Sequence, residues 1–262
     1  MSSVSVVIPA LDEEENIAAT LAAIPVRRLN QLGYQVEMLV VDNGSVDRTS
    51  EIASEHGARV LVQPVRGYGN AYKAGFANST GDIIATGDAD LTYPFEILPD
   101  ALELMAREKI DFLSTNRLHN VDPRAMSPSH IWANRALTGL CRVVHDKLPF
   151  RDSQSGMWIF RRYVWNRSRV LSGGMPFSQE IKLAAFRNGF TCREIPIEYR
   201  PRGGQKKLRA VRDGALVAGH IVGRRLSAGW SRPEVHRTPP RTGLIPAQPV
   251  RPTEDYAGRA EA

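Results

Sequence analysis

Asp88 and Asp90 stand one residue apart in the stretch GDIIATGDADLTYP, residues 81–94. Residues 82–87 read as a short apolar strand. Alternate side chains of an extended chain share a face, so the two carboxylates converge on one hard divalent cation, or on a cation and a ribose. The same pair also suits an ordinary strand-to-helix turn, in which Asp is common and Pro94 opens the next helix. The rest of the chain must decide between the two.

Five buried strands are expected over the first 115 residues: 4–9 (VSVVIP), 36–41 (VEMLVV), 59–63, 82–87 and 111–115. Helical stretches alternate with them: 12–24 with an acidic first turn, one after DNGSVDRTSEIASEHG, one ending near residue 80, and 95–107. Repeated strand–helix alternation predicts an open, mainly parallel α/β sheet with helices on both faces. Ligands of such sheets bind beyond the carboxyl ends of the strands. Those ends carry Pro9 with Glu13 beyond it, Asp42, the loop 66–69, Asp88 with Asp90, and Asn116 with Arg117. A packed core has no use for four acids and two arginines along one edge, so the edge reads as a site. The loop RGYGNAY superficially matches a dinucleotide fingerprint, but it follows the third strand without the accompanying acid, which argues against a Rossmann cofactor. Its helix N-terminus still suits a phosphate.

Beyond residue 118 the pattern loosens. Residues 119–149 read as a loop and a helix (IWANRALTGLCRVVH), and DSQSGM leads into a short strand, GMWIF, where Gly156 permits close backbone approach. Residues 177–188 read as a helix carrying Glu180. The stretch 207–230 reads as an interrupted amphipathic helix, suited either to an anionic membrane surface or to packing on the sheet. Residues 231–262 hold six prolines and few bulky apolar side chains, as in a disordered tail. The expected organisation is a main domain over 1–213, the amphipathic helix over 214–230 and the tail.

The chain has 262 residues, 42% hydrophobic and 24% charged, enough for one large α/β domain. Its two cysteines, Cys141 and Cys192, lack metal-ligand spacing and fit a reducing compartment. The sequence shows no leader-like start and no apolar run long enough to span a membrane, so a cytoplasmic protein is expected. Net charge is +6, and residues 187–230 alone carry ten Lys/Arg against three Asp/Glu. A local basic patch suits phosphates or an anionic lipid surface better than nucleic acid, or it is simply a solvated face.

VVIPALDEEENI, VVDNGSVDRT, GYGNAYKAGF, GDIIATGDADLTYP, DSQSGMWIF and YRPRGGQKKL, in this order, resemble the motifs of family 2 glycosyltransferases of the GT-A fold. Within that family they are similar to the polyprenyl-phosphate (dolichol-phosphate) mannosyl- and glucosyltransferases. The resemblance covers roughly residues 4–213. It implies that Pro9, Ala10, Glu13 and Asp42 line the nucleoside pocket of a UDP- or GDP-sugar. Asp88 and Asp90 match the family's DxD, with Asp90 the more direct ligand of Mg²⁺ or Mn²⁺ and Asp88 toward the ribose or sugar. Arg117, Arg202 and Lys206 or Lys207 are implied at the donor diphosphate and acceptor phosphate, where guanidinium forks bind well. Asp152 and Gln154 resemble the acceptor-side motif, and Glu180 falls where many members keep an acid. Two departures stand out: Thr92 where many members have Gln or Ser, and Gln205 before Lys206 where the family has Ser.

The acceptor follows from proton chemistry. A sugar hydroxyl needs a general base as it attacks. A phosphate monoester is already largely dianionic at neutral pH and needs cations instead. The basic segment favours a lipid phosphate, with Glu180 and Asp152 held in reserve as bases for a hydroxyl acceptor. A nucleotidyltransferase is a weaker reading, because PALDEEEN is no triphosphate loop. A non-catalytic nucleotide-sugar binder is the other alternative.

Overall fold

The computed structural model describes residues 2–119, 121–145, 148–203, 210–226 and 244–245. At its centre lie β1 (Ser2–Ala10) and β2 (Tyr34–Asp42), parallel over nine residues. β3 (Arg59–Val62) extends the sheet beside β2, and β4 (Ile83–Thr86) lies on the other side of β1, both parallel. β1, the second half of β2 and β4 are buried on both faces, which is why they read as continuous apolar runs rather than as alternating ones.

The fifth strand, β5 (Phe112–Asn116), does not sit beside β4. β6 (Trp158–Arg161) enters antiparallel between them, and β7 (Cys192–Pro196) runs parallel to β5 beyond it. The physical reason is burial: Trp158, Ile159 and Phe160 point to both faces and are wholly inaccessible, which only an interior strand allows. β7 was not foreseen, because the half-exposed CREIP carries no apolar run to announce it. At the opposite edge Leu244–Ile245 (β8) pairs antiparallel with β3, giving the order β7-β5-β6-β4-β1-β2-β3-β8. The remainder of the expected tail lies outside the described residues.

Two helix layers cover the sheet. α1 (Ile17–Ala22), α2 (Val26–Gln31), α3 (Thr49–Glu55) and α5 (Leu98–Arg107) share one core with Val4, Val6 and Ile8. α4 (Tyr68–Asn78), α6 (Pro128–Val144), α7 (Arg162–Asn166), α8 (Phe177–Arg187) and α9 (Ala210–Leu226) share the other with Val7, Leu39 and Val41. In that second core Tyr72 of α4 stacks on Phe177 of α8 at 5.8 Å and meets Trp158 of β6 at 5.2 Å. Such pairs contribute about 0.5–1.5 kcal/mol each beyond their buried area, and they fix α4 and α8 relative to the sheet.

The expected helix over 12–24 is shorter than its acidic start suggested. Asp12 adopts φ 50°, and its Oδ1 accepts the Val46 N–H at 2.8 Å, while Glu14 accepts the Arg48 N–H at 3.0 Å. These acids satisfy amides of the loop after β2 instead of capping α1, and Pro25 separates α1 from α2. Both cysteines are free, Cys141 buried and Cys192 partly so.

Candidate functional site

A cavity of about 310 Å³ opens beyond the carboxyl ends of β1, β4 and β5. Pro9, Ala10, Glu13, Asp88, Asp90, Arg117, Gln154 and Arg202 line it, with Arg202 against Asp90. Parallel strands bring these positions together although up to 193 residues separate them in sequence. Tyr68, Tyr93, Tyr199, Met175 and Ser178 also line it and were not singled out from the sequence. Tyr93 and Tyr199 lie inside the motifs that carry Asp90 and Arg202, so their position was a usable signal.

Asp88 and Asp90 follow β4 directly. Leu91 turns the chain at φ 66°, and the hydroxyl of Thr92 donates to Asp90 Oδ1 at 2.6 Å, so this side chain is engaged with the aspartate. Arg202 Nη2 lies 2.6 Å from Asp90 Oδ2. The segment bearing Arg202 is fastened to the same turn, because the Gly203 N–H donates to Asp90 O and the Arg200 N–H to Thr92 O, each at 3.0 Å. A Cβ on Gly203 would stand 2.2 Å from Asn16 Oδ1 and displace that side chain, whose Nδ2 donates to both Gly203 O and Glu13 Oε2. Burial pushes the Asp88 carboxyl up, the adjacent Asp90 charge pushes it further, and Arg202 and Arg117 offset part of the rise.

Gly156 supplies the close approach its type suggested. A Cβ would lie 2.3 Å from Tyr68 Oη, and the Gly156 N–H donates to Tyr93 Oη at 2.7 Å. Two phenols and Asp88 therefore crowd one backbone position.

Arg117 is held rather than loose. Asp152, fully buried, accepts from its Nε at 2.8 Å and from one terminal nitrogen at 3.0 Å, and also from its backbone N–H at 3.1 Å. This fork takes two of the five guanidinium donors. The guanidinium carbon lies 5.3 Å from the Tyr199 ring centre. Burial would raise the Asp152 carboxyl, but the charge and hydrogen bonds of Arg117, together with the Lys182 charge, outweigh it and hold the carboxyl below its usual range. Asp152 itself does not reach the cavity wall; Gln154 does.

Two further expected residues lie apart from the cavity. The Asp42 carboxylate accepts the N–H groups of Gly44 and Ser45 and the Ser50 hydroxyl, shaping the turn after β2 and leaving Asn43 on the wall. Glu180, wholly buried at the start of α8, accepts the Leu171 N–H at 2.9 Å and the Ser172 N–H at 2.8 Å, with His220 Nε2 3.3 Å away. It thereby fixes the loop that presents Met175 to the cavity. The helix start behind the Gly-rich loop lies at the cavity through Gly67 and Tyr68, with the backbone N–H of Asn70 donating to Gly173 O. Lys206 and Lys207 lie outside the described residues.

The site suits a small hard cation. Asp90 Oδ2 is buried and receives no hydrogen bond, only the ion contact from Arg202, and a second carboxylate stands beside it. Among the described residues no cluster of three or more His, Cys, Asp or Glu could hold a metal alone. Two carboxylates need ligand oxygens to complete a shell, as sites for Mg²⁺ with a phosphate commonly do.

An open α/β sheet with paired acids and arginines beyond its strand ends is an arrangement whose charges suit a phosphate-bearing ligand. The model of glycosyl transferase family 2 matches residues 5–167, and the chain belongs to that family. The low-salt glycan biosynthesis hexosyltransferase Agl6 of Haloferax volcanii is 37% identical over 214 residues, 81% of this chain; the chain spans about half of that relative, 51%. Dolichyl-phosphate hexose transferase of the same organism is 33% identical over 227 residues, 83% of this chain and 92% of the relative. In fold, the chain is similar to glucosyl-3-phosphoglycerate synthase from Mycobacterium tuberculosis, crystallised with Mn²⁺, UDP and phosphoglyceric acid. The TM-score is 0.69 at 22% identity, over 86% of this chain and 78% of that one. The sheet is of the GT-A type.

Proposed function

We propose that this chain transfers a hexose from GDP-mannose or UDP-glucose to a polyprenyl phosphate, inverting the anomeric carbon. The observation that carries the choice of acceptor is the placement of Glu180 and Asp152. Both carboxylates are fully buried and occupied by N–H donors, and neither lines the cavity. A hydroxyl acceptor requires a base within hydrogen-bond reach; a phosphate requires cations, and Arg117 and Arg202 stand at the cavity. One relative is named for a dolichyl-phosphate substrate, which agrees with this reading.

In the proposed reaction an acceptor phosphate oxygen attacks the anomeric carbon as the bond to the nucleotide diphosphate breaks. Asp88 and Asp90 would hold Mg²⁺ or Mn²⁺, which when bound neutralises charge on the leaving diphosphate. Arg202 leaves Asp90 to hold the diphosphate, and Arg117, fixed by Asp152, orients the acceptor phosphate. Lys206 and Lys207 add positive charge from the adjoining segment. Pro9, Ala10, Glu13 and the turn set by Asp42 enclose the nucleoside, and Gln154 faces the acceptor.

Among the described residues no helix is long and apolar enough to cross a membrane. α9 turns Val217 and Ile221 inward and Leu216 and Val222 outward. That outward pair supports peripheral contact with the inner face of the membrane, where a lipid phosphate would be met by a cytoplasmic enzyme.

The test is nucleotide release from UDP-glucose and from GDP-mannose with Mn²⁺, with and without a short polyprenyl phosphate. Release from one donor should rise sharply only with the lipid. Metal-dependent release indifferent to the lipid would move the acceptor to a hydroxyl compound.

A further inference from the structure

Lys182 is an ammonium-bearing residue in the middle of α8, only 1% exposed, on a helix that also buries Gln179 and Glu180. Burying such a group is costly unless it is paired and hydrogen-bonded. Its Nζ donates to the backbone carbonyl of Asp152 at 2.6 Å and lies 5.9 Å from the centre of the Phe150 ring. On the other side of the same short segment Glu194 of β7 accepts the N–H of Arg151 at 2.9 Å and that of Asp152 at 3.1 Å. The peptide units around Asp152 are therefore gripped by a cation at the carbonyl and a carboxylate at the amides. The Asp152 side chain in turn forks onto Arg117, which lines the cavity.

Lys182, Asp152, Glu194 and Arg117 together carry no net charge when all are ionised. Burial lowers the Lys182 ammonium to about 8, with Asp152 and Glu194 restoring part of the loss. Removing Lys182 alone would leave two carboxylates against one guanidinium and the Asp152 carbonyl without its donor, so the ammonium belongs to a mutually compensated cluster built around the Asp152 backbone.

We infer that Lys182 is a positioning residue for the acceptor phosphate: with Glu194 it fixes the backbone at Asp152, and through Asp152 the direction of the Arg117 guanidinium. The inference rests on the proposed role of Arg117 toward a lipid phosphate. Partners that orient metal ligands change affinity or activity about 10–100-fold when removed, and an effect on that scale is expected for a partner that orients Arg117. The donor wall, built from Pro9, Ala10 and Glu13, is independent of this chain of contacts, so the effect should fall on one substrate.

The experiment compares steady-state transfer by the full chain, Lys182→Met and Glu194→Gln, varying donor and short polyprenyl phosphate separately. Glu194→Gln keeps the shape and remains readable where Lys182→Met folds poorly. Expected is a rise of about tenfold or more in KM for the lipid phosphate, with KM for the donor within about twofold. Asp152→Asn combined with Lys182→Met should add little to either alone, since both act through Arg117. An unchanged acceptor KM in variants that fold, equal rises for both substrates, or additive effects would overturn the positioning role. If the wild-type chain shows no lipid-dependent nucleotide release, the functional reading fails first and the inference falls with it.

Discussion

Arg202 Nη2 lies 2.6 Å from Oδ2 of Asp90, and that oxygen is buried with no hydrogen bond of its own. The acid suited to a cation and the arginine suited to a diphosphate neutralise one another, so neither stands as an uncompensated buried charge. Cation and diphosphate should then bind with positive coupling. Titration calorimetry should find Mn²⁺ binding about tenfold tighter with UDP or GDP present than without, within the usual range of coupling. Arg202→Ala should abolish most of that difference. Equal Mn²⁺ affinity with and without nucleotide would refute the exchange.

Asp90→Asn should reduce transfer by at least about 10²-fold, the scale on which loss of preorganised charge stabilisation acts. The fold should survive, because the amide retains an acceptor for Thr92. Initial rates at saturating donor, alongside a melting curve, check both halves.

Glu180→Gln separates a catalytic from a structural acid. Its amide would face an N–H that the carboxylate now accepts, costing roughly 1–3 kcal/mol of stability. Below the melting transition kcat should stay within a few-fold of wild type. A loss of 10² or more in kcat with unchanged melting would instead make Glu180 a base and revive the hydroxyl acceptor.

Gly67→Ala should damage the cavity wall through the backbone alone. Gly67 holds φ 137°, and a Cβ would meet Gly173 O at 2.3 Å, a contact that requires the backbone to shift. An Ala held in this positive-φ, extended region, which glycine almost alone occupies, costs about 1–3 kcal/mol before the clash is counted. A lower melting temperature with weakened UDP or GDP binding is expected; an unaltered protein would show that the loop is not fixed there.

Acid stability should depend on Glu37. Burial would raise this carboxyl, but the Ser5 hydroxyl, the Thr80 N–H and the Arg59 guanidinium outweigh it and hold it below its ordinary range. A native carboxyl with a lowered pKa binds fewer protons than the unfolded one. Its contribution is therefore full above the unfolded value of about 4.3 and disappears as pH falls through the folded value. Melting temperatures from pH 7 to 3 should fall less steeply in Glu37→Gln than in wild type; parallel curves would deny Glu37 that role.

The parallel half of the sheet was legible in the chain alone, because Val6, Val7 and Ile8, like Leu39, Val40 and Val41, form runs that only a strand covered on both faces can bury. The sequence by itself also determined that Asp88, Asp90 and Arg117 fall at strand ends, since in an open parallel sheet successive strands deliver their ends to one edge. It did not determine that β6 would enter between β4 and β5, a choice made by the volume of Trp158 and Phe160 against Tyr72, Phe76 and Phe112. Nor did it distinguish an acid facing the cavity from one turned away. Asp42, Asp152 and Glu180 carry the same carboxyl as Asp88, and their tasks were decided by which donors the tertiary structure set beside them: turn amides for Asp42, the Arg117 fork for Asp152, the Leu171 and Ser172 amides for Glu180. A carboxylate takes the nearest hydrogen-bond donors, and across distances of tens of residues only the folded chain says which those are.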